Sequence, residues 1–394
     1  MPTDATFLLA ALFLAIFAVG YVYRLYSDRD RDLPPQISAD YLRGLNLVLN
    51  RRTDEALELF VQMAKVDDDT LETHFALGHL FRRRGEMERA IRVHENLLAR
   101  PNLNEAQRHQ ALFALAEDYL GAGLFDRAEQ LFGQLRDSTT LAEAALEKLV
   151  SIYEREQEWQ KAIEALRKLE ILRGGKSSQV AQYYCELAEI ARAAGNRAQA
   201  REHLRHTVRS ESGALRGTLI RAALAREEND YSQAIPLYEQ VIAADRHFIS
   251  EVLPPLLDCY RAAGGLQEFD AYVEELIAKD ASLYRDLAYA AIISDLSGSK
   301  ALTGAVERFV FEHPVLSNLV NAAELRALPS AERAAAIQRI AGSLRTIAMA
   351  NARYRCTNCG YSTQRFIWHC PSCKMWETVR PIQSVPLENV LARS

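Results

Sequence analysis

Hydrophobic positions along this 394-residue chain follow two patterns. Near the N-terminus, Phe7 to Tyr23 run for 17 residues without a charge (FLLAALFLAIFAVGYVY), and from Ala5 the run reaches 19. At 1.5 Å per residue that is about 28 Å of helix, close to a hydrocarbon core of roughly 30 Å, so the segment can span a bilayer. From Ile37 onward the apolar positions fall instead into short stripes at helical spacing, and the stripes repeat. An alanine recurs at Ala56, Ala90, Ala128, Ala162, Ala200 and Ala234, spaced 34, 38, 34, 38 and 34. Twelve residues upstream of each stand Gly44, Gly78, Ala116, Val150, Ala188 and Ala222, five of the six small enough for one helix to approach another closely. One turn after each come Phe60, His94, Phe132, Leu166, Leu204 and Tyr238, mostly large and suited to fill the space between units. Gly85, Gly123, Gly195 and Asn229 fall between the two helices of a unit, where a left-handed residue makes the turn. Tyr260, Gly264 and Phe269 keep the spacing of a degenerate seventh unit.

A helix pair repeating every 34 residues resembles the tetratricopeptide repeat, here over about 37–280. That resemblance implies a right-handed superhelix whose concave face, lined by the first helices, holds a segment of another protein. With the usual facing, Tyr41, Phe75, Arg82, Arg83, Phe113, Glu117, Arg192 and Arg226 are the candidate groove residues. Clamps for chaperone C-termini carry Asn at the ninth repeat position; here stand Leu45, His79, Glu117, Ser151, Glu189, Ala223 and Asp258, which sets that subclass aside. Beyond the repeats, Leu283–Leu296, Ala301–Glu312 and Ala331–Ala350 read as helices broken by Gly298, Pro314 and Pro329, a segment that would cap the stack.

The N-terminal run reads as an uncleaved anchor. A cleaved signal peptide needs a basic start and small residues at its cleavage site, but Asp4 precedes the run and Tyr21, Tyr23, Arg24 and Tyr26 close it. The Tyr residues suit the interface, and Arg24, Arg29 and Arg31 follow the span with no Lys or Arg before it. By the positive-inside rule the remainder of the chain then lies in the cytoplasm.

The C-terminal segment YRCTNCGYSTQRFIWHCPSCKMWETVRP carries the chemistry. Cys356, Cys359, Cys370 and Cys373 have the spacing C-x2-C-x10-C-x2-C, two knuckles that together complete a tetrahedral four-thiolate site. Such a site leaves no open position, so its role is structural, and a segment this short cannot fold without its metal. Zinc is expected; a single iron, as in rubredoxin, suits the same ligands, whereas disulfide pairing conflicts with a cytoplasmic location. His369, beside Cys370, is read as a surface or supporting residue, not a ligand.

Composition narrows the alternatives. Gly (18) and Pro (12) make about 8% of the chain, below the roughly 12% of average usage, which favours helices over a turn-rich β fold. Lys+Arg 47 against Asp+Glu 52 gives a net charge of -5, so the chain as a whole has no bias toward nucleic acid. The exception is local: Arg353, Arg355, Arg365, Lys374 and Arg380 face Glu377 alone, with Phe366, Trp368 and Trp376 nearby. A four-thiolate zinc site contributes about -2 and offsets half of that surplus, and one Trp is expected in the knuckle's own core. Gly175-Lys176-Ser177 lacks the upstream glycine of a phosphate loop, His203 and His206 lack the zinc-protease pattern, and Asp67-Asp68-Asp69 lacks the glycine and terminal glutamate of a calcium loop. No catalytic residues are assigned.

Anchor, repeats and knuckle in this order resemble the lipopolysaccharide assembly protein B family of Gram-negative bacteria. The most specific match is the tail: Tyr354, Cys356, Cys359, Gly360, Tyr361, Trp368, Cys370, Pro371, Cys373 and Trp376. The fold class that follows is all-α: a tetratricopeptide superhelix with an N-terminal transmembrane helix and a small, rubredoxin-like zinc knuckle of four cysteines. Its parts are a periplasmic N-terminus (1–5), a membrane helix (6–23), a linker (24–36), about seven repeats (37–280), a helical cap (281–350), the metal-binding domain (351–383) and a tail (384–394). The resemblance implies a single-pass inner-membrane adaptor, not an enzyme. Its partners would be a membrane-anchored AAA+ protease, the deacetylase that commits precursor to lipid A, and a membrane-embedded sensor that antagonises it. Homo-oligomerisation stays open. The alternatives are a generic assembly scaffold and a tethered nucleic-acid-binding module using the basic knuckle.

Overall fold

Each sequence period is realised as a pair of helices in the computed structural model, which describes residues 39–50, 52–66, 71–207 and 214–384. The expected membrane helix, its linker, Asp67-Asp68-Asp69 and the tail beyond residue 384 lie outside the described residues. Among the described residues no helix is long and apolar enough to cross a membrane.

The chain divides into two compact units at Ile152 and Tyr153. The first holds α1 (Ala39–Leu49), α2 (Thr53–Val66), α3 (Leu71–Arg83), α4 (Met87–Leu98), α5 (Glu105–Gly121), α6 (Phe125–Gln134) and most of α7 (Ala142–Glu156). The second holds the end of α7, then α8 (Trp159–Arg173), α9 (Gln179–Ala193), α10 (Arg197–Arg205), α11 (Ala214–Glu227), α12 (Tyr231–Ala244), α13 (Ile249–Ala262), α14 (Leu266–Lys279), α15 (Leu283–Ser294) and α16 (Lys300–Glu312). Two short helices, α17 (Pro314–Leu319) and α18 (Ala322–Ala327), lead to the long α19 (Ser330–Met349), which packs back on α15 and α16.

Burial explains the periodicity. All six recurring alanines are fully buried, because a methyl is all that fits where the second helix of a pair leans on its neighbours. Small and large positions are matched: a Cβ added at Gly44 would sit 2.5 Å from the Phe60 ring. The turns use left-handed residues at Gly85, Gly123, Gly195, Asn229 and Gly264, and also at Gln157, a position with no glycine to announce it. Asn104 begins α5 with a capping box: its Oδ1 accepts from the Gln107 amide at 2.8 Å, and Gln107 Oε1 accepts from the Asn104 amide at 3.0 Å. Phe269, fully buried, takes the alanine's place in the seventh pair and packs edge-on to Tyr260. The Gly-Lys-Ser stretch is the connection from α8 to α9, with left-handed Gly174 closing α8.

The last described elements are three short antiparallel strands in the order β2-β1-β3: β1 (Tyr354–Cys356), β2 (Ser362–Thr363) and β3 (Val379–Pro381). Tyr354 pairs with Thr363 on one side and Pro381 on the other, and Cys356 pairs with Val379.

Candidate metal centre and its docking surface

The β1 strand delivers Cys356 into the first knuckle, and the chain turns at once: the Gly360 amide donates to the Cys356 carbonyl at 3.0 Å, and Gly360 is left-handed. The second knuckle repeats the device, with the Lys374 amide donating to the Cys370 carbonyl at 2.9 Å and Lys374 left-handed in turn. The two turns bring the sulfurs of Cys356, Cys359, Cys370 and Cys373 within 4.8 Å of one another. Cys356 to Cys373 is 3.7 Å and Cys359 to Cys370 is 3.6 Å. Sulfurs about 2.3 Å from a tetrahedral metal stand roughly 3.8 Å apart, so the four residues fit one ion of that kind. The environment favours thiolates. Burial pushes the Cys356 thiol up, but the Thr378 hydroxyl and the Cys359 and Asn358 amides outweigh it and bring the group down to about 6. The Asn358 side chain lowers Cys373 in the same sense. His369 is not part of the cluster: its Nε2–H donates to the Lys374 carbonyl at 3.0 Å, and its ring stacks on Trp376 at 4.4 Å.

The knuckle's own core is small, made of Tyr354, Cys356, Cys370 and Val379 with Phe366, Ile367 and Cys373 against it. Contrary to the sequence expectation, neither of its tryptophans belongs to that core. A module of this size has no room to enclose an indole, and both rings pack against the helices of the second unit instead. Trp368 stacks on Phe248 at 5.5 Å and 12°. Trp376 packs edge-on to Trp159 at 6.1 Å and Tyr183 at 5.9 Å, and its Nε1 donates to Glu154 at 3.1 Å. All three tryptophans of the chain thus meet along this interface. Between the two rings lies the guanidinium of Arg216, 5.4 Å from the centre of Trp368 and 5.9 Å from that of Trp376. Arg216 is 3% exposed and pairs with Glu186 at 2.8 Å.

Polar contacts frame the aromatic centre. Tyr354 donates to Glu251 at 2.8 Å, Arg353 stands 3.5 Å from the same carboxylate, and Arg380 pairs with Asp245 at 2.6 Å. Burial, and then Glu251, raises the Tyr354 phenol far above its ordinary value, so it stays a donor. Two of the five basic residues that suggested nucleic acid are therefore committed to carboxylates of the second unit, and the aromatic rings that could have stacked on bases are half-buried against it. The contacted residues Glu154, Tyr183, Arg216 and Glu251 stand on α7, α9, α11 and α13, the first helices of four successive pairs. In the second unit the first-helix face is occupied by the chain's own knuckle.

The groove candidates divide. Tyr41, Phe75 and Arg83 line one cleft of about 420 Å³ in the first unit, with His79, Gln107 and Gln110. Arg82 and Glu117 are not free groove charges: Arg82 donates to Asp118 at 2.6 Å and to Glu117 at 2.9 Å, Lys148 reaches Glu117 at 2.8 Å, and fully buried His94 meets the other oxygen of Asp118. The physical cause is His94, a polar ring in a position that other pairs fill with an apolar residue, whose buried nitrogen demands a carboxylate. Phe113 packs edge-on against buried Phe132 at 5.3 Å. In the second unit Arg192 joins Glu189 and Glu227, both at 2.6 Å, and Arg226 stands 3.9 Å from Asp258, a ladder between successive first helices.

Comparison with known proteins agrees with both parts. The family described as "Rubredoxin metal binding domain" matches residues 354–381, and tetratricopeptide-repeat families match 73–106, 113–177 and 185–247. The chain is 33% identical over 395 residues to "Lipopolysaccharide assembly protein B" of Escherichia coli strain K12, covering 96% of this chain and 99% of that one. It is 30% identical over 385 residues to the protein of the same name from Haemophilus influenzae, covering 92% and 95%. Among solved structures, that of Naa15/Naa10 bound to HypK-THB has a TM-score of 0.50 at 16% identity, covering 80% of this chain and 47% of that one, a likeness of fold alone.

Proposed function

This chain belongs to the lipopolysaccharide assembly protein B family, and on that premise we propose that it is a non-enzymatic adaptor of lipopolysaccharide synthesis. It presents the deacetylase of the lipid A pathway to a membrane-anchored AAA+ protease, and a membrane-embedded sensor protein restrains it. The observation that carries this reading is the similarity over nearly the whole length of both chains. The fold supports it: stacked helix pairs expose a cleft at Tyr41, Phe75 and Arg83 fit for a partner's side chains. Zinc is the metal in this reading. Cys356, Cys359, Cys370 and Cys373 hold it, and it supplies the cross-link that lets so short a ribbon, residues 354–381, fold and dock.

In the same reading, residues 6–23 anchor the chain in the inner membrane as a single-pass protein with its repeats on the cytoplasmic side. Confinement beside the protease raises the pair's effective concentration, so weak contacts suffice. The test is the cellular half-life of the deacetylase in strains carrying the full chain, a form lacking residues 1–26, or neither. The half-life should lengthen in the last two. Equal values in all three would refute the adaptor reading, and a short half-life with the truncated form alone would refute the tether.

A further inference from the structure

The outer edge of the second unit carries a feature that neither the metal centre nor the first-helix face accounts for. Helix α10 reads RAQAREHLR, with Arg197, Arg201 and Arg205 four residues apart on one face. This arrangement is costly locally. Like charges at that spacing repel, and a cation in the first turn opposes the helix dipole. Helix α10 has no acidic residue in its first turn, and its start is favoured by Asn196, whose side chain accepts from the Gln199 amide at 3.1 Å.

The stripe borders a cleft of about 330 Å³ between α10, α11 and α12. Arg201, Arg205 and Arg221 stand around it, and Leu204, Leu224 and Leu237 form its apolar part. Among the described residues no carboxylate lines it. Two of the cations have partners outside the cleft: Arg201 pairs with Glu228, and Arg205 with Glu202 at 2.6 Å. Arg221 differs. It is half-buried on α11, and its hydrogen bonds among the described residues are to neutral groups of its own helix, Thr218 Oγ1 at 2.9 Å and the Gly217 carbonyl at 3.4 Å. Desolvation pulls its ionisation downward, opposed among the described residues by Cys185 and by no carboxylate. A guanidinium taken partly out of water is unfavourable where, as among the described residues, no carboxylate faces it, a cost that a bound anion would relieve.

The geometry points to a docking site for an acidic–aliphatic segment of a partner protein, its aliphatic side chain lying against Leu237 and the methylene stems of the arginines while flanking carboxylates bond to Arg221 and Arg201. The shape favours this occupant over others. Leu204 and Leu224, 1% and 2% exposed, belong to the core beneath the cleft, and its accessible apolar part is Leu237 with the arginine stems, inside a concavity that a side chain enters and a flat membrane surface does not. A free phosphate has no use for an apolar floor. The site is on a different face from the one the knuckle occupies and does not depend on the adaptor reading.

Full-length protein in detergent is titrated against a fluorescein-labelled, capped hexapeptide alternating Glu and Leu, followed by anisotropy at low salt. Saturable binding with a Kd below about 1 mM is expected, weakened at least tenfold by Arg221→Leu and about two- to fourfold by Arg201→Gln. Arg221→Leu should leave the thermal midpoint unchanged or raised, since it removes a cation with no carboxylate partner among the described residues. A lowered midpoint would mean that Arg221 is a strut of the fold and would overturn the proposal, as would equal binding by wild type and variant, or no saturation. Competition separates the remaining occupants. Inorganic phosphate or dihexanoyl phosphatidylglycerol displacing the label at lower concentration than unlabelled peptide would also overturn it.

Discussion

Replacing Trp376 by alanine separates the metal centre from its platform without touching a ligand. The indole makes two edge-on ring contacts, with Trp159 and Tyr183, each worth about 0.5–1.5 kcal/mol. Its Nε1–H bond to Glu154 adds about 1 kcal/mol net, and the rings it covers are 6% and 0% exposed, so their exposure in the variant costs more. A loss of about 3 kcal/mol of docking follows from these contributions. In the proposed reading the knuckle folds around its metal and docks when folded, so docking and metal binding reinforce each other reciprocally. That loss is about two decades, and the variant should release its metal to a chelator at roughly 100-fold lower chelator strength. The assay is competition with a chromophoric chelator of known affinity, with the thermal midpoint of the repeats as a control for folding. Release by wild type and variant at chelator concentrations within about threefold of each other, with the repeats intact in both, would show that the knuckle folds independently of its platform.

Three further perturbations test other parts of the account. Cys356→Ser or Cys373→Ser should abolish stoichiometric metal and shift tryptophan emission to the red as Trp368 and Trp376 lose their partners; retention of one metal per chain by metal analysis would contradict the four-thiolate site. Asp118→Ala leaves Arg82 and buried His94 without their shared anion and should destabilise the first unit by about 3–5 kcal/mol in urea unfolding, whereas a change below about 1 kcal/mol would mean the network is not a structural centre. His313 starts α17 with Nδ1 accepting from the Leu316 amide at 3.4 Å, and desolvation, then Arg285, holds its pKa below 6.5. Because the folded value lies below the unfolded one, this contribution is complete above about pH 6.5 and is lost as pH falls toward the folded value. His313→Asn, which caps without titrating, should lessen the loss of stability on acidification, and an NMR titration placing His313 above its ordinary value of 6.5 would reverse the argument.

The repeat was legible because each period imposes the same packing constraint on the same position. Ala56, Ala90, Ala128, Ala162, Ala200 and Ala234 are fully buried for one geometric reason, and the sequence states that reason six times. The knuckle was legible because thiolate spacing is dictated by one ion. What escaped has no period. Gln157 and Lys374 adopt left-handed turns with neither glycine nor asparagine to mark them, held there by the elements on either side. His94 occupies an apolar position, and only the fold places Asp118 against it and Arg82 against Asp118, drawing two expected groove residues, Arg82 and Glu117, into an ion cluster. The docking of the knuckle was invisible for a related reason. Phe366, Trp368 and Trp376 are consistent with base stacking or with a core of their own until Phe248, Trp159, Tyr183 and Arg216, far away in sequence, are seen to receive them. The one available signal was composition: large aromatic residues in a segment too short to bury them require a surface elsewhere.

The proposed role is that this chain joins a protease to its substrate and does no chemistry of its own. It is tested most directly by reconstituting the membrane-anchored protease in proteoliposomes with purified deacetylase and ATP, and following substrate loss with and without the full-length, metal-loaded chain. Degradation should accelerate at least about tenfold on adding the chain, saturate with its concentration, and fall back when Trp376→Ala and Cys356→Ser are combined. A rate that is unchanged by the chain, or deacetylase loss that the chain alone brings about without the protease, would contradict it.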